Sequence, residues 1–329
     1  MKKATSASLL AISASLLLVQ PATTKQRGLL PFDNIRGVNV GSLTRTSSQS
    51  CGACHTGSSG VALPGLVDVE IKPGARVLPA GSSTPMQVSS TSSTASPSGG
   101  FVSDVTAGSF VAGSSTRTRS TGDAITHSTS ANRSWSFTYK ASTTPGLAEM
   151  YTVAMNSNGN QRRDNGDRYA FHGSDPANTT STPVRLYANA PGFKAVGESC
   201  SDGFGNFSVL GGKTPPAIGA TFTLETFGLP PAAPLLFMLS VGTNLPPLDL
   251  VVMGAPGCVL RQNMTLQVPL KTSPGNVNRA EGGFSLPIPV PNNPGLRGLG
   301  LTVQFGAIDS NSSQAFPFVV TNGLEITIQ

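Results

Sequence analysis

The sharpest chemistry in the chain sits in five residues. Cys51-Gly-Ala-Cys54-His55 has the C-x-x-C-H spacing of c-type haem attachment. Two thiols two residues apart can add to the two vinyl groups of the porphyrin, and the adjacent imidazole then lies under the iron as proximal ligand. Four Cys and three His scattered over 329 residues would give such a pentapeptide by chance on the order of 4 times in ten thousand. Two other readings stand beside haem c: a local Cys51–Cys54 disulfide in an oxidising compartment, or half of a zinc site. Zinc is the poorer one, since Cys200 and Cys258 lack the second C-x-x-C and only His127 and His172 remain as donors. A thioredoxin-like redox pair would need a helix, and Ser, Gln, Gly and Thr flank this one.

A haem iron also asks for a second axial ligand. His127, His172, Met86, Met150 and Met155 are chemically able to serve. His127 is the first choice, because it stands on a short strand inside the domain that carries the haem motif and is one of only two free imidazoles. A second cation is suggested by Asn156, Asn158, Asn160, Asp164 and Asp167, at positions 1, 3, 5, 9 and 12 of a calcium-loop register. Gln161 occupies the place of the turn glycine and no amphipathic helices flank the loop, so an EF-hand is excluded. A looser calcium site competes with a plain Asn/Gly hairpin turn.

Cys200 and Cys258 form an even leftover pair, most simply a disulfide in an exported chain. Closing a loop of nearly sixty residues is worth ~4 kcal/mol in the chain-entropy model. Gly211-Gly-Lys213-Thr214 imitates the end of a P-loop, but Phe207 stands where the first glycine is required. There is no His-Glu-x-x-His and no Gly-x-Ser-x-Gly, so any enzyme reading rests on the haem alone and an electron carrier or surface protein is expected rather than a catalyst.

The elements that must hold these groups are strands. Charged residues make up 12% of the chain, against 37 Gly and 26 Pro, which excludes helical bundles and coiled coils and fits an all-β, turn-rich protein. Lys2 and Lys3 precede an apolar run from Leu9 to Val19, too short for a bilayer span and the right length for a secretory signal. A signal peptide over 1–24 is therefore expected, followed by a linker over 25–50 and no membrane span in the mature chain. Without Lys2 and Lys3 there are 20 basic against 16 acidic residues, a net +4. These bases are dispersed, with few aromatics between them, which is no footprint for nucleic acid.

Val67, Val69 and Ile71 alternate with polar residues, as do Trp135, Phe137 and Tyr139, so each group predicts a strand with one buried face. The second is expected to be a central core strand paired with Met150 to Met155, with Leu147 in a stretch that could pass for a helical turn. Residues 173–192 read as a linker. Beyond it, alternation at Phe222 and Leu224, at Met264 to Leu270, at Leu301 to Phe305 and at Leu324 to Ile328 predicts a second sandwich over 193–329.

From Cys51 to about His172 the pieces Cys51-Gly-Ala-Cys-His-Thr-Gly57, Gly99-Gly-Phe101, Ile125-Thr-His127, Trp135-Ser-Phe-Thr-Tyr139 and Asn156-Ser-Asn-Gly-Asn160 followed by Gly166-Asp167 resemble the choice-of-anchor V domain of exported bacterial proteins, itself similar to the reeler domain. The resemblance covers about a third of the chain. It implies an immunoglobulin-like sandwich over 51–172 and a periplasmic, cell-surface or extracellular location, and no established reaction. Reeler domains without a haem motif carry a similar Thr-His, which gives His127 a structural alternative. Relatives usually end in a C-terminal sorting signal, whereas this sequence ends on a strand-like stretch. The segments around Cys200 and Cys258 resemble a domain of unassigned function in secreted bacterial proteins.

The expectation is thus two immunoglobulin-like β-sandwiches in tandem, carrying one haem c and passing electrons to a redox partner at the surface or in the periplasm. A structural or adhesive surface protein without redox chemistry, meeting another surface component, is the alternative.

Overall fold

A computed structural model of the chain describes residues 67–92, 98–158, 167–173, 181–203, 205–243, 245–261, 266–272 and 282–329, together with a hairpin of two short strands, β1 (Asn34–Ile35) and β2 (Val38–Asn39). Everything long in it is strand. None of the described helices is long and apolar enough to cross a membrane.

The first unit is built from β3 (Val67–Pro73), β4 (Val77–Pro79), β5 (Ser83–Ser92), β6 (Gly99–Val105), β7 (Ser109–Val111), β8 (Thr116–Thr118), β9 (Ala124–His127), β10 (Ser134–Lys140), β11 (Gly146–Asn156), β12 (Arg168–Phe171) and β13 (Val184–Asn189). One sheet has the order β3-β5-β10-β7; the other runs β4-β13-β11-β6-β9-β8, with β12 beside β11. The period-two pattern of β10 fixes its register: Trp135, Phe137 and Tyr139 are at most 4% exposed while Ser134 and Ser136 face solvent. Phe101 of the opposite sheet meets Trp135 at 4.9 Å and Phe137 at 5.8 Å between ring centroids, and Met86, Ile125 and Met150 fill the space around them.

Three expectations are corrected here. Met150 to Met155 does not pair with the tryptophan strand: β10 lies between β5 and β7, while β11 lies in the facing sheet between β6 and the β12/β13 side. The two strands meet through side chains across the core instead of through a ladder. Leu147 is in β11, not in a helical turn. The stretch 173–192, read as a linker, contains β13, whose six residues are all buried between β11 and β4. Burial on both faces removes the alternation that marks a strand in sequence.

The second unit comprises β14 (Phe193–Val196), β15 (Val209–Gly212), β16 (Thr221–Leu229), β17 (Pro234–Val241), β18 (Leu248–Asp249), β19 (Val259–Leu260), β20 (Leu266–Lys271), β21 (Gly282–Pro289), β22 (Gly300–Ile308), β23 (Phe318–Val320) and β24 (Gly323–Thr327). A sheet of order β14-β24-β22-β17-β20, with β23 beside β22, faces the sheet β15-β16-β21. Phe222, Leu224, Phe237, Phe305, Leu324 and Ile326 form the core between them. Cys200 and Cys258 are bridged, as expected, across 58 residues, and both are buried in this core. The architecture is two β-sandwiches in one chain.

Candidate functional site

Cys51, Cys54 and His55 lie outside the described residues, as do Asn160 and Asp164. The structure places the others. Asn156 ends β11 fully buried, and its Oδ1 accepts a 2.7 Å hydrogen bond from the Ser90 hydroxyl. The Asn158 N–H donates to Asp167 Oδ1 at 3.2 Å. Asn158 and Asp167 are thus brought together, while Asn156 turns to β5. Among the described residues no three His, Cys, Asp or Glu side chains gather in a way that could hold a metal.

His127 ends β9 and is 8% exposed. Its Nδ1 lies 3.1 Å from the Phe101 N–H and 3.2 Å from the Phe101 carbonyl, so the backbone satisfies that nitrogen in either tautomer. The ring lies so close on Gly100 that a Cβ there would collide with its Cε1. Burial holds the imidazole down at about 4, opposed by the Phe101 hydrogen bond and helped by the nearby Arg117 charge. Met86 and Met150 are core residues, and Met155 packs half-buried against Val102, Val153, Tyr169 and Phe171.

His172 stands elsewhere, at the junction of the two sandwiches. A cavity of about 600 Å³ opens there along β3, with His172, Gly173 and Pro183 on one side and Glu198, Asn206 and Phe207 of the second unit on the other. The His172 Nδ1–H donates to the Thr182 carbonyl at 2.8 Å, and burial pushes the imidazole below its ordinary value against that bond. The Arg76 guanidinium lies 4.4 Å above the Phe207 ring, a cation–π contact across the junction. Desolvation lowers Arg76 and raises Glu198, while each charge works against the other's shift. This cavity joins segments more than a hundred residues apart, so sequence reading had no signal for it beyond the strand pattern of residues 67–71.

Behind the cavity the two sandwiches are bonded together. Only residues 190–192 separate β13 from β14. The Tyr187 hydroxyl donates to Glu225 Oε2 at 2.9 Å, the Gly212 N–H to Asn189 Oδ1 at 2.9 Å, and the Ala190 N–H to the Gly212 carbonyl at 2.9 Å. Val77, Tyr187 and Val209 make a small apolar cluster of their own. Burial, reinforced by Glu225, raises the Tyr187 hydroxyl far above its ordinary value and keeps it a neutral donor.

No known protein family matches the chain, and no curated protein is similar to it. Among solved structures it is similar to the Yersinia pseudotuberculosis adhesin InvE, at 13% identity over 80% of this chain and 60% of that one with a TM-score of 0.21. The ectodomain fragment D1–D4 of ICAM-5 follows at 11% identity, 80% and 51% coverage and TM-score 0.21. The Escherichia coli adhesin FdeC gives 12% identity, 82% and 67% coverage and TM-score 0.19. The chain spans 60% of the length of the first and 51% of the second. At such scores the likenesses carry no argument about function.

Proposed function

We propose that the protein is an exported structural or adhesive scaffold, a pair of β-sandwiches held as one body that presents its junction to another surface component. The observation that carries this reading is the bonded joint. Tyr187 to Glu225, Asn189 to Gly212 and Arg76 over Phe207 tie the units at three places, with almost no free chain between them. A joint of this kind fixes orientation, which a scaffold needs. The Cys200–Cys258 bridge suits an oxidising compartment, and so does the signal-like segment ahead of it.

A second reading keeps its own observation. Cys51-Gly-Ala-Cys54-His55 has every atom that covalent haem attachment requires, and in that case the sandwiches would carry a c-type haem ahead of β3 for electron transfer. One experiment separates the two. The protein is expressed with its leader in a host that matures c-type cytochromes, fractionated, stained for haem, weighed intact and probed on whole cells with protease. The scaffold reading expects a colourless, surface-accessible protein with no added haem mass. A red protein heavier by one haem, its colour lost in Cys51→Ala with Cys54→Ala, would replace it with the electron carrier.

A further inference from the structure

We propose that the free edge of β3 is a strand-addition site that takes an extended peptide with basic side chains alternating with small apolar ones. β3 is the end strand of its sheet, hydrogen-bonded to β5 on one side only. The Gly74 N–H donates to the Pro85 carbonyl, and the Ser90 N–H donates away from β3 to the Arg133 carbonyl. By the two-residue alternation of an antiparallel ladder, Glu70 and Lys72 then bond to β5, while the N–H and C=O of Val69 and Ile71 point at the free edge. No hydrogen bond from the described residues reaches them.

That edge is the floor of the junction cavity. Exposed edges are commonly blunted by proline, and here the only proline in the strand is Pro73, at its end. Its missing N–H stops an added ladder there and leaves Val69 and Ile71 open. The cavity of about 600 Å³ can take a run of roughly five extended residues, about 17 Å long. It has no room for the sheet of a second copy, so the occupant is a single segment of chain.

The side chains choose its charge. Asp68, Glu70 and Glu198 line the cavity against Lys72 and Arg76. Lys72 is already paired with Glu70 at 2.9 Å, and Arg76 lies on Phe207. Asp68 is left without an ion pair among the described residues, and Glu198, on the second unit's side of the cavity, shares the Arg76 charge, so three carboxylates face two cations. An added strand places its residues opposite Asp68 and Glu70 on the outer face, where Lys or Arg would meet the carboxylates. Residues opposite Val69 and Ile71 would exchange backbone bonds and point to the core side.

The test uses the full exported chain, haem-bearing or not, since no part of the site includes Cys51, Cys54 or His55; colour therefore decides the functional reading and peptide binding decides this one. A labelled, end-capped hexapeptide of alternating Lys and Val is titrated by fluorescence anisotropy. Binding is expected at least tenfold tighter than for the Glu/Val counterpart. N-methylation of the valines, which removes the donors facing β3, should weaken it at least tenfold, whereas N-methylation of the lysines should be tolerated. Asp68→Lys should weaken binding about tenfold, and bound peptide should slow hydrogen exchange at the Val69 and Ile71 amides. Equal loss on methylating either set, no preference over the acidic peptide, or no binding at all would overturn the proposal. So would Val69 and Ile71 amides already protected in the free protein, which would mean that its own chain covers the edge.

Discussion

His127 should make the first sandwich sensitive to mild acid. In the folded chain burial holds its imidazole at about 4, whereas in the unfolded chain it titrates near its ordinary value of 6.5. Above both values it is neutral in either state and contributes nothing to pH dependence. Between them the unfolded chain binds a proton that the folded chain refuses, so stability falls as pH falls, and the loss is complete only below the folded value. A depression of roughly two to three pH units corresponds to about 3 kcal/mol, a large share of the roughly 5–15 kcal/mol that holds a domain together. Trp135 is the sole tryptophan, fully buried and 6.2 Å from the His127 ring between centroids, so its fluorescence reports unfolding of this unit. Urea titrations of wild type and His127→Gln are compared from about pH 7.5 to pH 4, the window that the folded and unfolded values span. The carboxamide introduced by that substitution can still accept the Phe101 N–H, and carboxylates and His172 contribute equally to both proteins. The stability difference between them should therefore shift by about 3 kcal/mol in favour of the variant across that window. A constant difference would refute the argument.

Two further perturbations test the framework. Cys200→Ser with Cys258→Ser should cost the second sandwich ~4 kcal/mol by releasing a 58-residue loop, read as an earlier calorimetric transition while the Trp135 transition stays in place. Gly211→Ala should loosen the joint, because a Cβ there would run into the Tyr187 ring; an overpacking cost of about 1–3 kcal/mol should appear as a larger radius of gyration in small-angle scattering, with both cores intact.

The strands legible in the sequence were those with one wet face. Trp135, Phe137 and Tyr139 alternate with serine and threonine because β10 covers the core on one side only, and Phe222 with Leu224 behaves likewise. Strand β13 was not legible. Val184-Arg-Leu-Tyr-Ala-Asn189 is buried throughout and shows no alternation, and the preceding Asn178-Thr-Thr-Ser-Thr-Pro183 gave the whole stretch the look of a connector. Strand β17, Pro234–Val241, carries a nearly continuous apolar run between β22 and β20 and shows no clean period either. The cysteine arithmetic found the staple because an even pair in a chain read as exported has few alternatives. The junction cavity needed the fold: β3, the turn after β12 and the segment before β15 come together only when both sandwiches are in place. His127 drew notice as an imidazole able to ligate, and its packing on Gly100 was visible only in the structure.

The disulfide also sets how far this molecule can be drawn out. A chain pulled from both ends lengthens by about 3.4 Å for each residue that unravels, so the stretch from Cys200 to Cys258 could release ~200 Å. With the sulfurs joined, that stretch transmits force as one link whose Cα atoms are 4.8 Å apart. Strands β15 to β18 lie inside the bridged loop and are shielded from the load, while β14, β19 to β24 and the whole first sandwich are not. Under tension the protein would yield first outside the loop, and a reducing environment would convert a short, stiff tether into a long one.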